Sequence, residues 1–198
     1  MRAVIKIGGS LTSKPENLRE LMESIEDLST RHLLVIVPGG GPFAENVRKL
    51  QELLDLSDSA THWMAILAME QFGELLYQYT RKLETFSGRE IGEMMLQKRS
   101  FILQPYRLVR SKDELPHTWD VTSDSIAMWV AILIGADLAV LAKSTDTGTP
   151  KQIGVEESKS LAKDGIVDAH LPMIHPNFKG RFYVIDGRRK GILDQILQ

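Results

Sequence analysis

Two apolar runs each end abruptly in glycine: Val4-Ile5-Lys6-Ile7 runs into Gly8-Gly9-Ser10, and Leu33-Leu34-Val35-Ile36-Val37 into Pro38-Gly39-Gly40-Gly41-Pro42. Short, β-branched and bounded by turn residues, they predict buried parallel strands that feed turns where backbone must approach something closely. Between them Leu18, Leu21, Met22, Ile25 and Leu28 recur at helical spacing, which makes Val4 to Leu34 a strand, helix, strand unit. Such a crossover implies parallel strands, with both glycine turns on one sheet edge and ligands beyond the strands' carboxyl ends.

Pro42 predicts the start of a helix running to about Leu54, and Ser57 or Asp58 the cap of a longer one from Ala60 to about Lys82. The longer helix is apolar around much of its circumference, so part of it is expected to face a partner subunit. Irregular text from Glu84 to Pro116 allows a strand over Ser100 to Leu103 and a second short one reaching Val109. Thr122 or Ser123 caps a helix ending near Gly135. A strand over Leu138 to Ala142, a polar loop to Gly154, a helix over Glu156 to Lys163, a strand over Arg181 to Ile185 and a last helix over Arg189 to Leu197 complete the reading. No internal repeat or low-complexity linker interrupts it.

At 198 residues the chain suits one α/β domain. A formal net charge of -2 with 25% charged residues gives no broad basic field, which argues against a nucleic-acid partner. The absence of cysteine excludes disulfides, thiolate metal sites and a cysteine nucleophile. The first strand begins within three residues and the longest apolar stretch, Ile126 to Ile134, falls short of the ~20 residues that span a bilayer. The expectation is a soluble cytoplasmic protein that binds no membrane.

Four constellations carry candidate chemistry. Lys6 inside the first strand, with Gly8, Gly9 and Ser10, offers a fixed cation beside backbone amides free of Cβ atoms, a cradle for phosphate. The plainer alternative is a lysine snorkelling at the edge of an ordinary turn. Gly39, Gly40 and Gly41 open a helix that carries Arg48, which suits an anionic acceptor; a tight packing turn with a solvent-facing arginine would look the same. Asp124, in the first turn of its helix after Ser123, would gather lysine ammonium groups around a phosphoryl in transit. A helix dipole favours a carboxylate there in any case. Lys143-Ser144-Thr145-Asp146 directly after a strand suits ribose or phosphate, although loops are polar anyway. Neither glycine turn is a Walker A motif.

Taken in order and over essentially the whole chain, strand-Lys6-x-Gly8-Gly9-Ser10, Gly39-Gly40-Gly41, Thr122-Ser123-Asp124-Ser125 and a strand followed by Thr145-Asp146 resemble the amino acid kinase superfamily. The resemblance implies a three-layer α/β/α sandwich with a mostly parallel open sheet, with an acceptor lobe over about residues 1–135 and a nucleotide lobe over about 136–198. It implies transfer of the γ-phosphoryl of Mg-ATP, with Lys6 and Asp124 as the catalytic core. Gly8, Gly9 and Ser10 would hold ATP phosphates and Gly39 to Gly41 the acceptor. Lys14 resembles a second phosphate-contacting lysine, and Thr145 and Asp146 resemble nucleotide-loop residues. Many members place a further lysine late in the nucleotide lobe, where this chain has Asp168-Ala169-His170-Leu171-Pro172; Lys143 or Lys179 would stand in for it. No protein-held metal site is implied.

A finer likeness, through Leu11-Thr12, Pro42-Phe43-Ala44, Val47-Arg48-Lys49, His62, His117-Thr118-Trp119, Phe178-Lys179 and Tyr183 to Arg188, is to small archaeal-type kinases whose acceptor is itself a phosphate monoester. It implies a furan-bearing monophosphate converted to a diphosphate. UMP, isopentenyl phosphate and a noncatalytic nucleotide-binding protein of the same fold are the alternatives. His62 and Trp119 are candidates for the acceptor wall with Arg48 and Ser123; a surface or interface histidine and a core tryptophan are the plain readings. Arg188-Arg189-Lys190 reads as a solvated run unless it faces the ATP edge, and His170 and His175 have no metal spacing. A homodimer or higher homo-oligomer through the Ala60 to Lys82 helix is implied by the same likeness.

Overall fold

Six short runs pair into one sheet in the computed structural model, which describes residues 1–197. They are β1 (Arg2–Ile7), β2 (Leu33–Pro38), β3 (Glu84–Phe86), β4 (Phe101–Leu103), β5 (Leu138–Lys143) and β6 (Arg181–Asp186). Their order is β3-β4-β2-β1-β5-β6 and every pairing is parallel. Register sets Ile7 opposite Pro38 and Ala142, and Lys143 opposite Asp186, so four strands end at one level. That level is the functional edge.

Side-chain alternation sorts the two faces of the sheet. Ala3, Ile5 and Ile7 join Leu18, Met22 and Ile25 of α1 (Pro15–Leu28) in one core. Val4 joins Ile126 and Val130 of α6 (Ser123–Leu133) in the other. Lys6, two residues beyond Val4, therefore points to the α6 face, and this directs its ammonium towards the start of that helix. The result is helices on both faces of a parallel sheet, as expected of the α/β sandwich.

The long helix α3 (Asp58–Tyr77) is capped by the Ser57 hydroxyl, which accepts from the Ala60 N–H at 3.3 Å. Its apolar circumference has an explanation within one chain. Trp63, Ile66 and Met69 enter the α6-side core, whereas Phe72 and Leu76 enter the α1-side core. The helix stops short of Lys82 because Glu26 draws the backbone elsewhere, accepting from the N–H groups of Arg81 and Lys82 at 2.6 Å each.

Two further sequence expectations are corrected. The strand expected to reach Val109 is instead α5 (Tyr106–Lys112): Pro105 has no N–H for a ladder, and Val109 N–H returns to the Pro105 carbonyl at 2.9 Å. The expected last helix is a series of turns, broken where Gly191 takes φ +69°. The edge strand β3 and short helix α4 (Ile91–Met95) carry no periodicity long enough to read. The remaining helices are α2 (Gly41–Leu54), α7 (Val155–Lys163) and α8 (Leu171–Ile174), and among the described residues no helix is long and apolar enough to cross a membrane.

The two glycine junctions press on each other. A Cβ on Gly9 would lie 2.1 Å from the Gly41 Cα, and Gly41 itself has φ +54°, a left-handed conformation that glycine adopts without strain. Gly9→Ala must therefore push the two turns apart, and we expect a stability loss of about 1–3 kcal/mol in urea unfolding. An unchanged midpoint would show that the turns are not held in this contact.

Candidate active site

Where the four strands end, three buried charges meet. Lys6 Nζ lies 2.9 Å from Asp124 Oδ1, and Lys143 Nζ bonds Asp124 Oδ2. Lys6 is 5% and Asp124 2% exposed, so neither is solvated by bulk water. Burial by itself raises the Asp124 carboxyl, but the two ammonium charges and their hydrogen bonds overcome it and hold its pKa at about 2. Asp124 stays ionised at neutral pH. Burial, and then the neighbouring Lys6 charge, push Lys143 below the usual lysine value. The triad carries one more positive charge than negative, and an unbalanced buried charge favours an anion beside it.

This geometry brings together three residues named from sequence, from β1, the first turn of α6 and the end of β5. Lys143 takes the place of the second lysine at Asp124. Lys179 does not: it lies before β6, at the opposite edge of the sheet, beside Gly135 and Asp137.

Beside the triad opens a cavity of about 590 Å³, lined by Gly9, Ser10, Gly40, Gly41 and Ser123 near the strand ends and by Arg48, His62 and Trp119 further out. Gly8 and Gly39 have another task. The Gly8 N–H donates to the Ala142 carbonyl and the Gly39 N–H to the Ile7 carbonyl, each at 2.8 Å, so these two amides are already spent on the strand ends. Gly9, Ser10, Gly40 and Gly41 stand at helix starts, where N–H groups lack intrahelical acceptors. Ser10 and Ser144 hydroxyls bond at 2.7 Å, closing the gap between the first glycine turn and the β5 loop.

The outer wall is a stack. The Arg48 guanidinium lies 4.1 Å over the Trp119 ring, and the indole N–H donates to Gln51 Oε1. Arg48 thus leaves the helix surface to cover an aromatic face. His62 is buried against His117, ring centroids 4.4 Å apart, with its Nε2 unpartnered among the described residues. Burial first, and then the His117 ring, lower its pKa to about 4, so it is neutral at pH 7. Glu45 and Asp58, which the sequence did not single out, also line the cavity.

The nucleotide-lobe residues are looser. Lys14 is exposed at the N-cap of α1, and its side chain forms no hydrogen bond or ion pair among the described residues. Thr145 is exposed, and Asp146 turns its carboxylate onto its own loop, accepting from the Gly148 N–H at 2.9 Å. Arg188 follows β6 at the functional edge, where buried Asp186 holds it through two side-chain bonds of 2.8 Å, and Arg189 donates to the Gly148 carbonyl at 2.6 Å. This run is tied to the β5 loop rather than freely solvated.

A parallel sheet with two lysines sharing one carboxylate at its carboxyl edge, flanked by glycine turns at helix starts, is chemically suited to phosphoryl transfer. The family model described as amino acid kinase family matches residues 1–181, and the chain belongs to that family. It is 30% identical, over 98% of its own length and 92% of the relative's, to a [5-(aminomethyl)furan-3-yl]methyl phosphate kinase of Methanocaldococcus jannaschii. Among solved structures it is similar to uridylate kinase from Archaeoglobus fulgidus (TM-score 0.70, 19% identity, covering 100% of this chain and 94% of that one). UMP kinase from Ureaplasma parvum is similar too (TM-score 0.72, 17% identity, again 100% and 94%). The protein is a kinase.

Because the folded pKa of Asp124, about 2, lies below its ordinary 3.8, its ionised form adds stability that is fully present above about pH 4. That stability is lost as pH falls towards 2. Asp124→Asn should make acid unfolding shallower over this window and should cost about 3–5 kcal/mol at neutral pH, since two buried ammonium groups lose their carboxylate. Urea unfolding across pH checks both, and an unaltered pH profile would show that the triad is not formed in solution.

Proposed function

We propose that the protein is an ATP-dependent kinase that converts a small phosphate monoester into a diphosphate, with [5-(aminomethyl)furan-3-yl]methyl phosphate as acceptor. The observation that carries the reading is the Lys6–Asp124–Lys143 triad beside a cavity edged by both glycine turns. Donor and acceptor are both polyanions whose repulsion must be screened as they meet. Lys6 and Lys143 supply fixed positive charge, the helix-start amides of Gly9, Ser10, Gly40 and Gly41 supply donors, and Asp124 orients the ammonium groups. An acceptor phosphate oxygen forms the new bond to the γ-phosphorus as the bond to the β,γ-bridging oxygen breaks, and ADP leaves. That acceptor oxygen is already ionised at neutral pH, so neither a protein nucleophile nor a strong base is needed. Mg²⁺ would arrive with the nucleotide as part of the substrate. Bound there, it would supply charge neutralisation on the phosphates.

The furan acceptor is supported by the relative from Methanocaldococcus jannaschii and by the chemistry of the cavity. Ile66, Met69 and Ile126 give an apolar wall for a flat ring, while Glu45 and Asp58 add carboxylates and His62 a neutral polar edge. An aminomethyl group would use those carboxylates; an isopentenyl chain has no group for them. The reading places the reaction in the cytoplasm and includes self-association through α3, where Leu67 and Tyr77 are exposed.

ADP release, assayed with the aminomethylfuran monophosphate, UMP and isopentenyl phosphate, tests the proposal. Lys6→Ala and Asp124→Ala should each lower kcat at least ~100-fold, the scale of one lost transition-state contact. Glu45→Gln with Asp58→Asn should raise KM about tenfold for the amine-bearing acceptor while leaving UMP unaffected. Nucleotide binding without turnover on any acceptor would defeat the kinase assignment in favour of a noncatalytic binding protein.

A further inference from the structure

The loop between α7 and α8 sends one carboxylate, Asp168, onto the start of α6. Its Oδ2 accepts from the Thr122 N–H at 2.8 Å, the Thr122 hydroxyl at 2.9 Å and the Ser125 N–H at 2.9 Å. Its Oδ1 accepts from the Ser125 hydroxyl and from the Leu171 N–H at 3.0 Å. Five donors from two helix starts converge on a single side chain. Thr122 is the N-cap of α6, yet its own hydroxyl reaches the Asp124 N–H only at 3.5 Å, while it donates to Asp168. The helix is thus capped from outside, by a residue 43 to 46 positions later in the chain.

Asp124 sits between the two gripped residues. A carboxylate that must bridge two ammonium groups needs its backbone held to within about 0.5 Å, and a free helix start frays. A remote carboxylate at that N-terminus satisfies orphan donors and meets the positive end of the dipole. His170 N–H donates to the Asp120 carbonyl at 3.0 Å, sewing the same loop to the residues that lead into α6.

We propose that Asp168 is a positioning residue for phosphoryl transfer: by clamping Thr122 and Ser125 it fixes Asp124 between Lys6 and Lys143. The proposal rests on the kinase reading above. Asp168 does not itself line the cavity, although Thr122, which it holds, does, so the split between kcat and KM is what separates positioning of Asp124 from a change in the acceptor wall. Its negative charge also lies close enough to act on Lys143 and Asp124, which adds an electrostatic link to the mechanical one.

Steady-state kinetics per folded molecule test it. Asp168→Asn puts an amide NH2 among N–H donors and should lower kcat about 30-fold or more, as expected for a small misplacement of the reacting centre. Acceptor KM should stay within about threefold, whereas a purely structural role would change only the folded fraction. Ser125→Ala should lower kcat less, and the double variant should be no worse than Asp168→Asn alone, since both act through one contact. A kcat within about twofold of wild type in folded Asp168→Asn, a loss confined to KM, or additive losses would each overturn the clamp. If Asp168→Asn does not fold, an unchanged kcat in Ser125→Ala overturns it. Should the wild-type protein turn over no acceptor, the kinase reading alone fails and a crystal structure of Asp168→Asn decides. The Lys6–Asp124 separation is then expected to open beyond about 4 Å. Retention of the 2.9 Å contact would overturn the proposal.

Discussion

Everything at the functional edge depends on one carboxylate shared by two ammonium groups. Taking three ions out of water is expensive, and their attraction offsets that cost only where the geometry is held closely. The fold supplies that geometry from three places. Parallel register brings the end of β1 and the end of β5 to one level, alternation turns Lys6 and Lys143 to the same face, and α6 starts directly over them. A shift of one residue in either strand would turn its lysine to the α1-side core.

The glycine turns serve this arrangement twice. Their missing Cβ atoms let the two turns touch, Gly9 against Gly41 and Gly39 against the Ile7 carbonyl, which brings the starts of two helices to one cavity. The amides of both helix starts then lie at the same cavity. Gly8 and Gly39 extend the sheet, their N–H groups bonded to the Ala142 and Ile7 carbonyls.

The cavity combines backbone amides and hydroxyls with aliphatic side chains, the carboxylates of Glu45 and Asp58 and a histidine kept neutral by burial. The β5 loop and the run after β6 are linked by Arg189 and Gly148, and that run is stiffened by the Asp186–Arg188 pair. Lys143 at the end of β5 is the second lysine at Asp124, and the loop between α7 and α8 carries Asp168.

Local pattern alone determined the strand-to-glycine junctions, the α1 crossover and, to within a residue, the starts of α3 at Ser57 or Asp58 and of α6 at Thr122 or Ser123. Each of these rests on periodicity or capping chemistry that neighbouring residues carry among themselves. The order of the motifs was enough to place Lys6 and Asp124 in one site. What needed the tertiary structure was whatever depends on distant partners: α5 in place of a strand, Glu26 ending α3, Lys143 rather than Lys179 at Asp124, and Arg48 laid over Trp119. Asp168 is the extreme case, since a lone aspartate in an irregular loop has no local signal. Its significance comes from meeting α6 across more than forty residues, a contact that chain folding creates and no sequence window contains.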